Sequence, residues 1–137
     1  MRNSTIKKIL TVDDDEDLRN SITSLLELEG FESVWAKNGQ VALEYLKRVP
    51  DVELPDLVLL DYMMPVMNGA DFHVGLRQDP RLADIPVVMM TANGNLVSVM
   101  EKVEAAGAFM SKPMDYDTVV RMVKHFLEPD SPELTES

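Results

Sequence analysis

Four apolar runs in this chain each end on a polar residue with distinctive chemistry. Ile9–Val12 runs into Asp13 and Asp14, Leu57–Leu60 into Asp61, Pro86–Met90 into Thr91, and Ala108–Met110 into Ser111 and Lys112. A fifth stretch, Phe31–Ala36, reads as a further strand. Between these runs the apolar period lengthens to that of a helix. Leu18, Ile22, Leu25, Leu26 and Leu28 mark the first stripe, and Val41, Ala42, Tyr45 and Leu46 the second. Phe72 and Leu76 mark the third, Val99, Met100 and Val103 the fourth, and Val119, Val120, Val123, Phe126 and Leu127 the last. Strands alternating with helices predict a parallel sheet with right-handed crossovers. In such a sheet, ligands bind beyond the carboxyl ends of the strands, so these polar residues are expected to converge.

The punctuation agrees. Gly30 and Gly107 stand where helices should close, Asn38-Gly39 reads as a turn, and Asp79-Pro80 breaks the third helix. Asp115 is placed to N-cap the last helix, and Asp15 or Glu16 to complement the dipole of the first. We expect one domain over residues 1–128 and a disordered acidic tail over 129–137.

The net charge of -11 argues against direct binding of nucleic acid, which needs a basic footprint. No apolar run approaches the roughly 18 residues of a membrane helix. With no cysteine, thiolate metal sites and disulfides are excluded, and a reducing cytoplasm is permitted.

The expected cluster has a definite chemistry. Asp61 ends a wholly apolar strand, and a carboxylate so presented can act as a nucleophile and form an acyl phosphate. Asp13 and Asp14 can hold a hard cation such as Mg2+, which takes one or two carboxylates plus phosphate oxygens. Lys112 can pair with phosphoryl oxygens as a point charge, and Thr91 can donate a hydrogen bond to one. Each residue has a structural alternative: a helix-start acid, a loop acid, a cap or a solvated lysine. Their joint position at four strand ends favours the functional reading.

The chain resembles the receiver domain of two-component response regulators, the CheY-like fold. The resemblance rests on ILTVDDDEDLR at 9–19, LVLLDYMMPVMNG at 57–69, PVVMMTA at 86–92 and GAFMSKPM at 107–114. It implies a flavodoxin-like (βα)5 three-layer sandwich whose parallel sheet has the order 2-1-3-4-5. It implies that Asp61 accepts a phosphoryl group from a sensor histidine kinase or phosphotransfer protein. Asp14, Asp61 and the Met63 carbonyl would ligate Mg2+ directly, with Asp13 acting through water. Thr91 and Phe109 would be the switch residues. The implied protein is cytoplasmic, catalyses only its own phosphorylation and dephosphorylation, and works as a monomer or a phosphorylation-dependent dimer. Its downstream protein target would be met by the face of the fourth helix, fifth strand and fifth helix. The initial Met and short leading segment favour a stand-alone or N-terminal domain; the alternatives are a module of a larger regulator or hybrid kinase, or a phosphorylation-independent scaffold.

Departures from the family pattern carry expectations of their own. Phe109 lacks the hydroxyl that many receivers have there. Met63 and Asn93 flank the expected path of attacking water, and an apolar Met63 cannot orient it, which predicts a comparatively long-lived phosphoryl group. Met122 stands where winged-helix regulators place an Arg for a dimer ion pair, with Arg121 beside it. Met63 also stands where a haloacid-dehalogenase-like enzyme would need a second Asp, and Leu18 where an EF-hand would need Gly. The ten methionines read as adaptable core filler, with Met100, Met110, Met114 and Met122 as the alternative of a partner surface. Trp35 is read as a packing residue, and His73 and His125 as surface residues.

Overall fold

The computed structural model describes residues 6–92, 108–112 and 115–128. Five strands form one parallel sheet in the order β2-β1-β3-β4-β5. They are β1 (Lys8–Val12), β2 (Glu32–Ala36), β3 (Leu57–Asp61), β4 (Val87–Ala92) and β5 (Ala108–Lys112). β1 and β3 lie inside the sheet and bury all five residues each, which is why their sequences are continuous apolar runs rather than alternating ones. Strand order reverses between β1 and β3, since β1 neighbours both β2 and β3. The crevice beyond their carboxyl ends is therefore the topological switch point of the fold.

Alternate strand residues feed two cores. Leu10, Val12, Val58, Leu60, Val87 and Met89 pack with Leu43 and Leu46 of α2 (Gly39–Arg48) and Phe72 and Leu76 of α3 (Gly69–Gln78). Ile9, Leu57, Leu59, Val88 and Met90 pack with Ile22 and Leu26 of α1 (Glu16–Leu28) and Val119 and Val123 of the C-terminal helix (Tyr116–Leu127). The sheet is thus the middle of three layers.

Capping defines the helices. Asp15, Asn38, Asn68 and Asp115 each accept a hydrogen bond from the amide three residues on. Asn38-Gly39, expected as a turn, is instead the start of α2. α1 ends in a Schellman motif: Phe31 N–H donates to the Leu26 carbonyl at 3.0 Å and Gly30 N–H to that of Glu27 at 3.1 Å, with Gly30 at φ +92°. Phe31, expected to open β2, packs in the core as the apolar closure of that motif.

The site strands run further than the apolar pattern indicates. β3 includes Asp61, β4 includes Thr91, and β5 reaches Lys112, because parallel pairing continues through Asp61↔Met90, Thr91↔Ser111 and Ala92↔Lys112. His73 is a correction: it is 4% exposed, not a surface residue. The inward stripe of α3 comprises Gly69, Phe72, His73 and Leu76 and is wide enough to include it. His125 is exposed, as expected. Met110 belongs to the core and Met122 packs against it, so the filler reading holds for both. Trp35 is 52% exposed. The expected helix around 96–106, Asn93, Met100, Pro113, Met114 and the tail over 129–137 lie outside the described residues.

Candidate functional site

β1 and β3 deliver the acids. Asp13 is fully buried, and its amide donates to the Ala36 carbonyl of β2 at 3.2 Å. Its Oδ1 accepts from the Asp15 amide at 2.9 Å. Asp15 in turn caps α1, so the acidic run has two separable jobs. Asp61 is 4% exposed, and its Oδ1 lies 3.4 Å from the Met63 amide. Asp14 is exposed. One carboxylate oxygen from each of Asp13, Asp14 and Asp61 lies within 4.8 Å of the other two.

β5 delivers the counter-charge. Lys112 Nζ lies 2.9 Å from Asp13 Oδ2 and 3.3 Å from Asp61 Oδ1. Thr91, at the end of β4, is fully buried, and its Oγ1 has no hydrogen-bond partner among the described residues. The Thr11, Thr23 and Ser33 hydroxyls share that state; what distinguishes Thr91 is its place at the carboxyl end of β4, between β3 and β5. Phe109 is half-buried, opposite Met89 in register, and packs against the core on the α2 and α3 side.

The loop after β3 is bent sharply over the site. Tyr62 N–H donates to the Met90 carbonyl at 2.8 Å, and Gly69 N–H to that of Tyr62 at 2.8 Å. Between them, Met67 N–H donates to the Pro65 carbonyl at 2.8 Å across Val66, whose φ is +74°. That is a γ-turn of the rarer, strained hand, carried by a β-branched residue. A Cβ on Gly69 would lie 2.8 Å from Tyr62 Cα, 2.9 Å from the Asp61 carbonyl oxygen and 2.9 Å from Met89 Sδ. Only glycine lets α3 begin this close to Asp61. The signal for it in the sequence is the Asn68-Gly69 pair that opens a helix soon after the acid. The Met63 side chain stands 60% exposed and Met64 is buried.

The electrostatics are unbalanced. Burial, then the neighbouring Asp13 charge, push the Asp61 carboxyl up to about 7 against the opposing pull of Lys112. Burial alone would depress the Lys112 ammonium, but its hydrogen bond to Asp13 and the charges of Asp61 and Asp13 outweigh it and raise the group. Three carboxylates face one ammonium, so charge is left over for a proton or a cation to neutralise. The donors are all hard oxygens, which suits Mg2+ or Ca2+ rather than a soft metal.

The sequence profile of the response regulator receiver domain family matches residues 9–124. The chain is 33% identical over 132 residues to the phosphate regulon transcriptional regulatory protein PhoB of Pseudomonas aeruginosa, covering 96% of this chain and 56% of that protein. It is 37% identical over 123 residues to the transcriptional regulatory protein CpxR of Escherichia coli K12, covering 89% and 50%. The chain thus spans about half the length of these curated relatives. Among solved structures it superposes on a response regulator of Chloroflexus aurantiacus with TM-score 0.81 and 27% identity, over 90% of this chain and 98% of that one. It superposes on the receiver domain of a histidine kinase from Syntrophus aciditrophicus with TM-score 0.79 and 28% identity, over 92% and 93%. The fold is also that of the chemotaxis protein CheY4 of Vibrio cholerae, at TM-score 0.80, 23% identity and 88% and 98% coverage. With the profile match spanning most of its length, this chain belongs to the response regulator receiver domain family of two-component systems.

Proposed function

We propose that this receiver is phosphorylated on Asp61 and uses that event to switch a protein-binding surface. The observation that carries the reading is Lys112 Nζ held between Asp13 Oδ2 at 2.9 Å and Asp61 Oδ1 at 3.3 Å, beside the cluster completed by Asp14. An Asp61 oxygen attacks the phosphorus of a phosphohistidine on a sensor kinase or phosphotransfer protein. The P–N bond breaks, the imidazole keeps its electron pair and takes a proton from solvent, and an acyl phosphate remains on Asp61. Asp14, Asp61 and the Met63 carbonyl, with Asp13 through water, are the residues that would hold Mg2+. Bound there, it would supply neutralising charge for the phosphoryl oxygens. Lys112 binds one of those oxygens as a cation, and Thr91 donates its unpaired hydroxyl to another. Thr91 and half-buried Phe109 then bias a conformational equilibrium that exists before phosphorylation. The chain turns over no separate substrate and acts in the cytoplasm.

Met63 offers no hydrogen bond to orient water beside Asp61, so we assign a slow spontaneous loss of the phosphoryl group. An Asn at Met63 should speed it, measured as phosphoprotein decay in Mg2+. The half-length match favours a second context, a receiver module within a longer regulator; the same chemistry serves both. The test is intact-protein mass after incubation with Mg2+ and acetyl phosphate. Wild type should gain about 80 Da and Asp61→Asn nothing. No gain in a wild type that binds Mg2+ would favour a phosphorylation-independent scaffold.

A further inference from the structure

A buried arginine stands behind the acidic pair and has no carboxylate partner among the described residues. Arg19 of α1 is 7% exposed, and among the described residues no Asp or Glu lies within ion-pair distance of it. A buried charge without a counter-ion is unusual and needs a structural reason. Its Nη1 donates to the backbone carbonyl of Asp13 at 3.1 Å. Its Nε is buried without an acceptor among the described residues. The other support is an aromatic face: Arg19 Cζ lies 4.0 Å from the centroid of the Trp35 ring. This stack accounts for the otherwise odd position of the chain's one tryptophan, 52% exposed on an edge strand.

The contact falls at a sensitive place. The Asp13 carbonyl belongs to the peptide plane that joins Asp13 to Asp14. The Asp13 amide is already fixed on β2, by Ala36, the residue after Trp35. Fixing the carbonyl from α1 removes the remaining freedom of that plane, and hence sets the direction in which the exposed Asp14 side chain leaves the backbone. Asp13's own carboxylate is held separately, by the Asp15 amide and Lys112. Asp14 has no such anchor among the described residues, so its placement depends on the peptide behind it.

We infer that Arg19, held flat by Trp35, is a positioning residue that orients the Asp13–Asp14 peptide and thereby sets divalent-cation affinity, with Trp35 as its built-in optical reporter. The inference rests on the reading that these acids hold Mg2+. Supports behind a metal site typically contribute roughly 10- to 100-fold in affinity. The experiment is Mg2+ titration of the full chain by calorimetry and by Trp35 fluorescence, on wild type, Arg19→Met, Trp35→Ala, Trp35→Phe and Asp14→Asn. In wild type the fluorescence midpoint should coincide with the calorimetric Kd. Arg19→Met should weaken Mg2+ binding roughly 10-fold and abolish the fluorescence response even at saturating Mg2+. Trp35→Ala, at a half-exposed site, should weaken binding severalfold, and Trp35→Phe should restore it, because a ring is what the guanidinium needs. Unchanged affinity in both Arg19→Met and Trp35→Ala, with Asp14→Asn binding poorly, would overturn the inference and leave the cation site standing. A wild type that binds no Mg2+ would overturn the cation reading and this inference with it.

Discussion

The two edges of the sheet each contain a buried or half-buried lysine among acids, and they resolve the arrangement differently. At the amino edge, Lys8 is 5% exposed; its Nζ donates to the Glu53 carbonyl at 3.0 Å and lies 3.6 Å from Glu32 Oε2. Its backbone amide is bound by Asp56 Oδ2 at 2.8 Å. The acid that faces it, Glu32, is half in water, so every charge there has a partner or solvent. At the carboxyl edge, Lys112 faces two acids that are buried, a third acid lies beside them, and the neighbouring Thr91 hydroxyl is unpaired among the described residues. The same residue type staples one end of the sheet and leaves the other short of positive charge. An edge that remains unsatisfied after folding is an edge adapted to a ligand.

Substitutions can sharpen this contrast. The largest effect should be at Lys112. Lys112→Met leaves Asp13 and Asp61 buried without a counter-charge and should cost about 2–4 kcal/mol, below the full cost of a broken buried pair because the ammonium is partly solvated. In urea titrations, added Mg2+ should recover part of that loss. Gly69→Ala should come next, at about 1–3 kcal/mol, because the new methyl meets backbone at both Tyr62 and Asp61. It should also slow phosphorylation by acetyl phosphate, as Asp61 is displaced. Lys8→Met should cost about 1–2 kcal/mol, the loss of one buried hydrogen bond partly offset by apolar fill, with phosphorylation unaffected. Equal Mg2+ rescue of Lys8→Met and Lys112→Met would break the comparison.

A smaller effect separates His73 from both edges. Burial and then the Arg77 charge lower its pKa below 6.5 in the folded protein. The unfolded chain therefore binds a proton first as pH falls. Stability from this group is full above 6.5 and declines as pH drops from there through the lowered folded value. Unfolding free energy measured across that window should fall more steeply for wild type than for His73→Gln; parallel curves would refute it.

How much was legible depended on whether one dimension carried the constraint. The parallel sheet followed from continuous apolar runs and helical stripes, since burial on both faces forces such runs; its order came only with the resemblance to receiver domains. The convergence of Asp13, Asp14, Asp61 and Lys112 followed from a rule of parallel sheets that needs only strand ends. What escaped depended on contacts between elements. His73 sits at the margin of its helix's apolar stripe, where periodicity does not discriminate. Asn38 looked like a turn residue because turns and N-caps favour the same side chain. The Arg19–Trp35 stack joins a helix to an edge strand, and neither residue alone hints at the other. Strand ends at Asp61, Thr91 and Lys112 were placed one or two residues short, because backbone pairing continues after the side chains turn polar.

The central claim is that the carboxyl edge folds at a cost that a cation relieves. The group that shows it is Asp61, whose carboxyl rises from 3.8 to about 7 on folding without metal. A carboxyl raised in this sense contributes stability that is full below 3.8 and is lost as pH rises through about 7. Above that, ionised Asp61 opposes folding by an amount of order a few kcal/mol. The decisive measurement is the thermal midpoint of wild type and Asp61→Asn at pH 8, in EDTA and in saturating Mg2+. The account predicts that Asp61→Asn is the more stable in EDTA and that Mg2+ raises wild type well above its EDTA value while moving Asp61→Asn little. An Asp61→Asn protein less stable than wild type in EDTA, or an equal Mg2+ shift in both, would contradict it.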